Sequence, residues 1–256
     1  MTWRALRRAV ALAFALAGCV LSYWYVRVRG PITLVDRAQW LHRASCRVLR
    51  ALGIRASVYG RPPFEGLVVS NHLSYLDIAI ISSVMPCFFV SKAEIAAWPY
   101  FGKAARSGGT LFIDRNSRTS TAQVATQISE RLSLPVPVLL FPEGTSSDGS
   151  QVLRFHSALF EPAVVAGAPV TAAAVRYVMD DGAHERDLCW FGDAGFLPHL
   201  WKALGASGFS AHVTFAERRI YADRRSAAAT THEEVVAMRV QEQLSAASHQ
   251  LSASPR

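Results

Sequence analysis

Lysine is scarce in this sequence. Lys92, Lys103 and Lys202 are the only three, although Lys and Arg together number 27. Charge of either sign is thin, at 18% of residues against a usual share of about a quarter, while 51% are hydrophobic. That balance excludes intrinsic disorder and a highly charged cytosolic surface. The four cysteines, Cys19, Cys46, Cys87 and Cys189, show no CxxC spacing and no Cys/His cluster. Neither a zinc site nor a disulfide framework is indicated, and a reducing compartment suits the bulk of the chain. No GxGxxG, GxxxxGK[ST], HExxH or GxSxG is present, which removes several common catalytic and nucleotide-binding signatures. Only one long apolar run exists, so a polytopic membrane protein is excluded.

What is present is an arginine-rich chain of 256 residues with a net charge of +8, long enough for one domain with a sizeable core. Such a surface attracts anions: acidic lipid headgroups, phosphorylated substrates or nucleic acid. Nucleic acid is the poorest fit, because lysines are few and no basic-aromatic groove pattern appears.

Residues 9–26 carry no charge, with Arg4, Arg7 and Arg8 before them and Arg27 and Arg29 after. Tyr23, Trp24 and Tyr25 sit where an aromatic belt would lie. As a helix these residues rise about 27 Å, barely the ~30 Å of a hydrocarbon core. The expectation is a membrane-embedded helix that spans or dips into one leaflet. A cleaved signal peptide fits less well, because apolar and aromatic residues continue past any small-residue site. A lipid attached to Cys19 is the specific rival, but residues 20–26 would make a poor linker. A second helix is expected over 36–52, with Asp36 as N-cap and Gly53 just past its end. Arg43, Arg47 and Arg50 share one of its faces, opposite an apolar stripe. That pattern suits an anionic interface and equally a surface helix of the globular core.

From residue 54, short β-rich runs alternate with helical stretches. Strands are expected at 54–59, 66–70, 87–91, 110–114, 136–141, 170–177, 188–191 and 211–215. Helices are expected at 76–84, 100–105, 117–132, 158–166, 198–205 and 232–248. The fold class is therefore α/β: a mixed, mostly parallel sheet flanked by helices, with an N-terminal membrane-associated helical segment. The run 136–141, apolar on both faces, reads as a central strand. Asp181-Gly182 reads as a turn that makes one strand pair antiparallel. The expected organisation is membrane-associated helices in 1–53, an α/β domain in 54–222, and a peripheral helix and tail in 223–256.

Two segments carry chemistry that composition does not explain. In the first, an apolar strand runs directly into Asn71-His72-Leu73-Ser74-Tyr75-Leu76-Asp77. On one continuous helix, His72 and Asp77 would point apart. If a turn intervenes, Asp77 in the first helical turn can reach back to the imidazole. A carboxylate on one ring nitrogen fixes the tautomer and makes the other nitrogen a general base. This is the His/Asp half of a triad with no protein nucleophile, as needed when a substrate hydroxyl attacks. In the second, another buried-type strand opens into Phe141-Pro142-Glu143-Gly144-Thr145-Ser146-Ser147. Gly144 lets backbone approach a ligand, its neighbours offer donors to an anion, and Glu143 can orient a donor or accept from a substrate hydroxyl. Between them, Arg115 follows the run Phe112-Ile113-Asp114; it is either a guanidinium clamp for phosphate or carboxylate, or a surface partner of Asp114.

Taken in order, Asn71-His72-x4-Asp77, Phe112-Ile113-Asp114-Arg115, Phe141 to Ser147, and Ala168-Pro169-Val170 resemble the four blocks of the glycerolipid acyltransferases. These are the 1-acyl-sn-glycerol-3-phosphate acyltransferases and their relatives. The resemblance covers residues 60–220, and the ordered set is specific where single blocks are not. It implies acyl transfer from acyl-CoA or acyl-carrier protein to a lysolipid hydroxyl, with no metal and no further cofactor. By resemblance His72 is the base and Asp77 orients it, while Asn71, Arg115, Glu143, Gly144 and Thr145 bind the acceptor. Lysophosphatidic acid is the expected acceptor and membrane lipids the expected surroundings, in a cell membrane with the site facing the cytoplasm. Relatives often follow the Glu-Gly-Thr block with Phe, basic residues and Gly; here the run is Phe155-His156-Ser157-Ala158. Ser91-Lys92-Ala93-Glu94, Trp98-Pro99 and Phe101-Gly102 also resemble a branch that includes lyso-ornithine lipid acyltransferases. A thioesterase that uses water, and a non-enzymatic membrane-bound anion-binding module, are the competing readings.

Overall fold

Seven apolar runs between residues 55 and 215 assemble into a single sheet. The computed structural model describes residues 2–98, 101–114 and 118–252. The strands are β1 (Arg55–Tyr59), β2 (Leu67–Ser70), β3 (Phe88–Lys92), β4 (Leu111–Ile113), β5 (Val138–Leu140), β6 (Val170–Met179) and β7 (Phe209–Phe215). Their spatial order is β1-β7-β6-β2-β5-β3-β4. Every pairing is parallel except β6 with β7. The expected mixed, mostly parallel α/β sheet is the architecture found. Its antiparallel pair does follow the turn at Asp181-Gly182, but the returning strand is β7. The expected strand at 188–191 does not form: Glu185–Leu188 is a 3₁₀ turn, and the backbone N–H of Trp190 donates to the Leu73 carbonyl at 2.8 Å.

The helices are α1 (Thr2–Val28), α2 (Leu34–Leu52), α3 (Leu76–Val84), α4 (Phe101–Ser107), α5 (Arg118–Leu132), α6 (Glu161–Val165), α7 (Phe196–Gly205) and α8 (Arg224–Ser252). Strand alternation splits the core in two. Leu67, Val69, Val138 and Leu140 face one cluster with Val124 and Ile128 of α5 and Ala227, Ala228 and Val235 of α8. Val68 and Leu139 face the other, with Ile80 and Ile81 of α3 and Leu49 of α2. All of β2 and β5 is buried, as the doubly apolar run at 136–141 requires. The C-terminal helix begins eight residues before the expected 232 and is core in its first turns, not periphery, because its small alanines seat it close under β6.

Helix α2 is capped by Thr33, not Asp36. Asp36 is the third helical residue, and the two side chains form a reciprocal capping box. Gly53, at φ 72°, closes the helix by donating to Leu49 and Arg50 carbonyls. The basic face divides: Arg43 and Arg50 are exposed, whereas Arg47 turns to α1 and donates to Ser22 Oγ at 3.4 Å. Trp40 also donates to Ser22, and His42 meets the Ser82 carbonyl of α3 at 2.7 Å. Helix α2 is therefore a packed layer between α1 and α3. Trp3–Val28 of α1 is long and apolar enough to cross a membrane, by length and composition. Its first turns are docked, with Ala5 buried against Leu52 and Leu204 and Arg8 donating to the Ala206 carbonyl at 2.6 Å. Leu6, Val10, Phe14, Leu21 and Trp24 stand exposed along the rest.

Candidate active site

β2 ends at Ser70, and its chain bends through 71–75 before α3 begins at Leu76. The bend supplies the turn that the His72/Asp77 spacing requires. Asp77, in the first turn of α3 and fully buried, accepts from His72 Nδ1 at 2.8 Å. The same carboxylate oxygen accepts the backbone N–H groups of Leu73 at 2.7 Å and Ser74 at 3.0 Å. Its other oxygen accepts the hydroxyl of Tyr177, which reaches in from β6. Four donors on one buried carboxylate compensate its loss of water and fix its position. Burial and the Asp77 charge push the Tyr177 phenol well above its ordinary range, so it stays a donor. The His72 ring lies flat on Phe141, with centroids 4.0 Å apart, and keeps 19% of its side-chain surface exposed. With Nδ1 held by Asp77, Nε2 is the nitrogen left to take a proton from a ligand.

The carboxyl ends of β2 and β5 are neighbours, because these strands pair in parallel from Leu67 and Val138. Both loops thus leave from the carboxyl edge of the sheet, where such folds place ligands. Strand β6 outruns β2. Past the last pair, Ser70 with Ala173, the Asn71 amide continues the ladder: Nδ2 donates to the Val175 carbonyl at 3.0 Å, and Oδ1 accepts the Val175 N–H at 2.8 Å. Asn71 is 2% exposed. The sequence expectation places Asn71 in acceptor binding; here both ends of its amide are bonded to Val175 and brace the His72 bend. Glu143 is likewise turned inward, 4% exposed, and accepts the His72 backbone N–H at 3.2 Å. Burial pushes its carboxyl up to about 8, despite the N–H bond that opposes the shift. Through that bond it shapes the loop that carries His72.

Gly144 has φ 76°, and its N–H donates to the Phe141 carbonyl, closing the turn after β5. Thr145 is exposed at its rim. Ser147 N–H donates to the His72 carbonyl at 2.9 Å, and Ser146 Oγ donates to the Trp190 carbonyl. The Glu143–Ser147 loop and the His72 bend are therefore laced together. Arg115 lies outside the described residues, as does Pro99. Sequence reasoning missed Tyr177 and the bracing segment at Trp190. The available signal for Tyr177 was a lone phenol in the buried strand β6, since a buried Tyr hydroxyl needs a partner. Among the described residues, no group of three His, Cys, Asp or Glu is placed to hold a metal.

The family model called Acyltransferase matches residues 59–176, which contain both loops. A lyso-ornithine lipid O-acyltransferase of Rhodobacter capsulatus is 41% identical over 171 residues, 63% of this chain and 60% of its own length. A 1-acyl-sn-glycerol-3-phosphate acyltransferase of Neisseria meningitidis is 38% identical over 66% of this chain and 67% of its own. A lyso-ornithine lipid O-acyltransferase of Pseudomonas aeruginosa is 33% identical over 83% of both chains. Among solved structures, the 1-acyl-sn-glycerophosphate (LPA) acyltransferase PlsC of Thermotoga maritima superposes with a TM-score of 0.65 over 99% of both chains. At 17% identity that match speaks to the fold alone.

Two outcomes follow from this geometry. Tyr177→Phe leaves one Asp77 oxygen buried and short of a donor. Unfolding titrations are expected to show a loss of about 1–3 kcal/mol, and the acyl-transfer rate to fall about tenfold. For Glu143 the sign runs as for any carboxyl raised from 4.5 to about 8: between those values the folded state holds a proton the unfolded state has released. Its contribution to stability therefore declines as pH rises from about 4.5 to about 8. Glu143→Gln should flatten that decline in melting curves taken from pH 5 to 8; an unchanged slope would refute the assignment.

Proposed function

The chain belongs to the acyltransferase family, and from that premise we propose that it moves a fatty acyl group from acyl-CoA or acyl-carrier protein to the free hydroxyl of a lysolipid, with His72 as general base. The observation that carries this reading is the contact between His72 Nδ1 and the four-donor Asp77 carboxylate. His72 Nε2 takes the acceptor's hydroxyl proton as the oxygen attacks the thioester carbonyl. The tetrahedral adduct then expels the thiolate, which recovers that proton from the imidazolium. Asp77 stabilises the imidazolium between the two steps, as the carboxylate of a triad does. A positioned base supplies about 10²–10⁴ in rate, and the thioester is already activated, so the reading calls on no cofactor beyond the donor.

Lysophosphatidic acid is the first acceptor proposed, giving phosphatidic acid. A relative so named covers two thirds of its own length here, and the arginine excess favours a phosphate. Arg115, Gly144 and Thr145 are the groups proposed to receive it. Lyso-ornithine lipid is the second reading. It is favoured by the Rhodobacter and Pseudomonas relatives so named. The proposed setting is the cell membrane, with the apolar stripe of α1 in lipid and the site on the cytoplasmic side.

The test is a panel of lysophosphatidate, lyso-ornithine lipid and other lysophospholipids, each offered with both donors to the full chain. Acylated product from one of the first two acceptors is expected, with a fall of about a thousandfold or more in His72→Ala. The rate should fall on the acidic side, since only a neutral imidazole accepts a proton. Equal rates in wild type and His72→Ala, or fatty acid released without any acceptor, would sink the reading.

A further inference from the structure

Behind the His72 bend lies a charged cluster that the proposed chemistry does not use. Arg239 of α8 is 5% exposed. Its guanidinium makes a two-pronged bond to Glu185, at 2.9 Å from Nη1 and 2.8 Å from Nη2. The same two nitrogens donate to the Val175 carbonyl at 2.8 Å and the Gly149 carbonyl at 2.6 Å. Each acceptor leads into the site. Val175 is the residue gripped by Asn71. Gly149 lies in the same loop as Glu143 and as Ser147, whose N–H donates to the His72 carbonyl. Glu185 accepts the backbone N–H of Tyr177, whose hydroxyl holds Asp77.

The charges point the same way. Asp77, Glu143 and Glu185 crowd this region from α3, the loop after β5 and the 3₁₀ turn, with Tyr177 on β6 and Cys189 beside them. Asp148 is paired outward with Arg186 at 3.6 Å. Burial and the neighbouring carboxylates push the Cys189 thiol up, and Arg239 opposes that shift, as it does for Glu143. Among these inward-facing groups Arg239 is the cation. Gly149 shows how closely the cluster is fitted: its φ is 79°, and a Cβ there would lie 3.0 Å from Glu185 Oε2 and 3.3 Å from Arg239 Nη2.

We propose that Arg239 is a positioning residue for acyl transfer: its forked guanidinium ties α8 to both site loops and supplies the counter-charge for the carboxylates behind His72. The inference rests on His72 being the base, and it places part of the active-site scaffold beyond the family-matched residues 59–176. Planar, two-pronged donation to a carboxylate with further bonds to carbonyls is what Arg offers and Lys does not.

The experiment compares wild type, Arg239→Lys, Arg239→Gln, Arg239→Gln/Glu185→Gln and His72→Ala as full chains. Each is measured for kcat, donor KM, the acidic limb of the rate profile and thermal melting. Arg239→Gln should lower kcat about tenfold to a hundredfold with donor KM unchanged, because the site loops shift by fractions of an ångström. Losing a nearby positive charge favours the imidazolium, so its acidic limb should move to higher pH by about half a unit. The double variant, neutral at both positions, should return the limb while kcat stays low. Arg239→Lys keeps the charge and loses the fork; its limb should stay in place while kcat falls, which keeps the proposal testable if Arg239→Gln does not fold. Activity that merely tracks the folded fraction with an unmoved limb, or a Lys variant with full kcat, would overturn the proposal. His72→Ala separates the two failures: full activity there defeats the base itself, whereas its loss beside unaffected Arg239 variants defeats only the role of Arg239.

Discussion

The buried carboxylate of Asp77 is the constraint around which this molecule is arranged. An ionised group with no water must be met by fixed donors, and here an imidazole, two peptide N–H groups and a phenol meet it. Each donor arrives from a different structural commitment. The two amides require the bend at 71–75, the phenol requires β6 to extend past β2, and the imidazole requires that bend to start where β2 stops. Remove the carboxylate and none of these arrangements has a reason to hold.

Unequal strand lengths do much of this placement. β2 is four residues long and β6 ten, so the second half of β6 has no backbone partner on the β2 side. That overhang would leave peptide groups bare in the core. Asn71 satisfies one pair with a side chain that mimics a peptide, and Arg239 takes a second bond at the same Val175 carbonyl. On its other side the overhang is paired antiparallel to β7 through Met179. A rigid beam thus projects under the His72 bend, and its stiffness comes from ordinary sheet hydrogen bonds.

Much of this was legible in the sequence. Helix α3 occupies the expected 76–84, and β2 starts within one residue of expectation, because apolar runs bounded by polar loops leave little choice. The His72–Asp77 pairing was readable because both partners sit within one local bend. The inward bonds of Asn71 and Glu143 were not readable for a different reason: a polar side chain beside a strand end looks the same whether it faces a ligand or a stray peptide group. Tyr177 lies 100 positions from its partner Asp77, and Arg239 lies 64 from Val175, so no local pattern announces either contact. The apolar 188–191 segment was misread as a strand because Cys189 N–H closes a turn on Arg186 and Trp190 N–H goes to Leu73, a tertiary choice that β propensity cannot foresee.

The late position of α8 has a consequence for how the protein is made. Chains fold from the N-terminus as they emerge from the ribosome. Gly149 is made 90 residues before its anchor on α8 has been synthesised. Until that helix arrives, Ala227 and Val235 are missing from the core cluster, and the Val175 and Gly149 carbonyls lack their Arg239 donor. The nascent chain therefore carries a helix long and apolar enough to cross a membrane well before the loops around His72 gain their tie to α8.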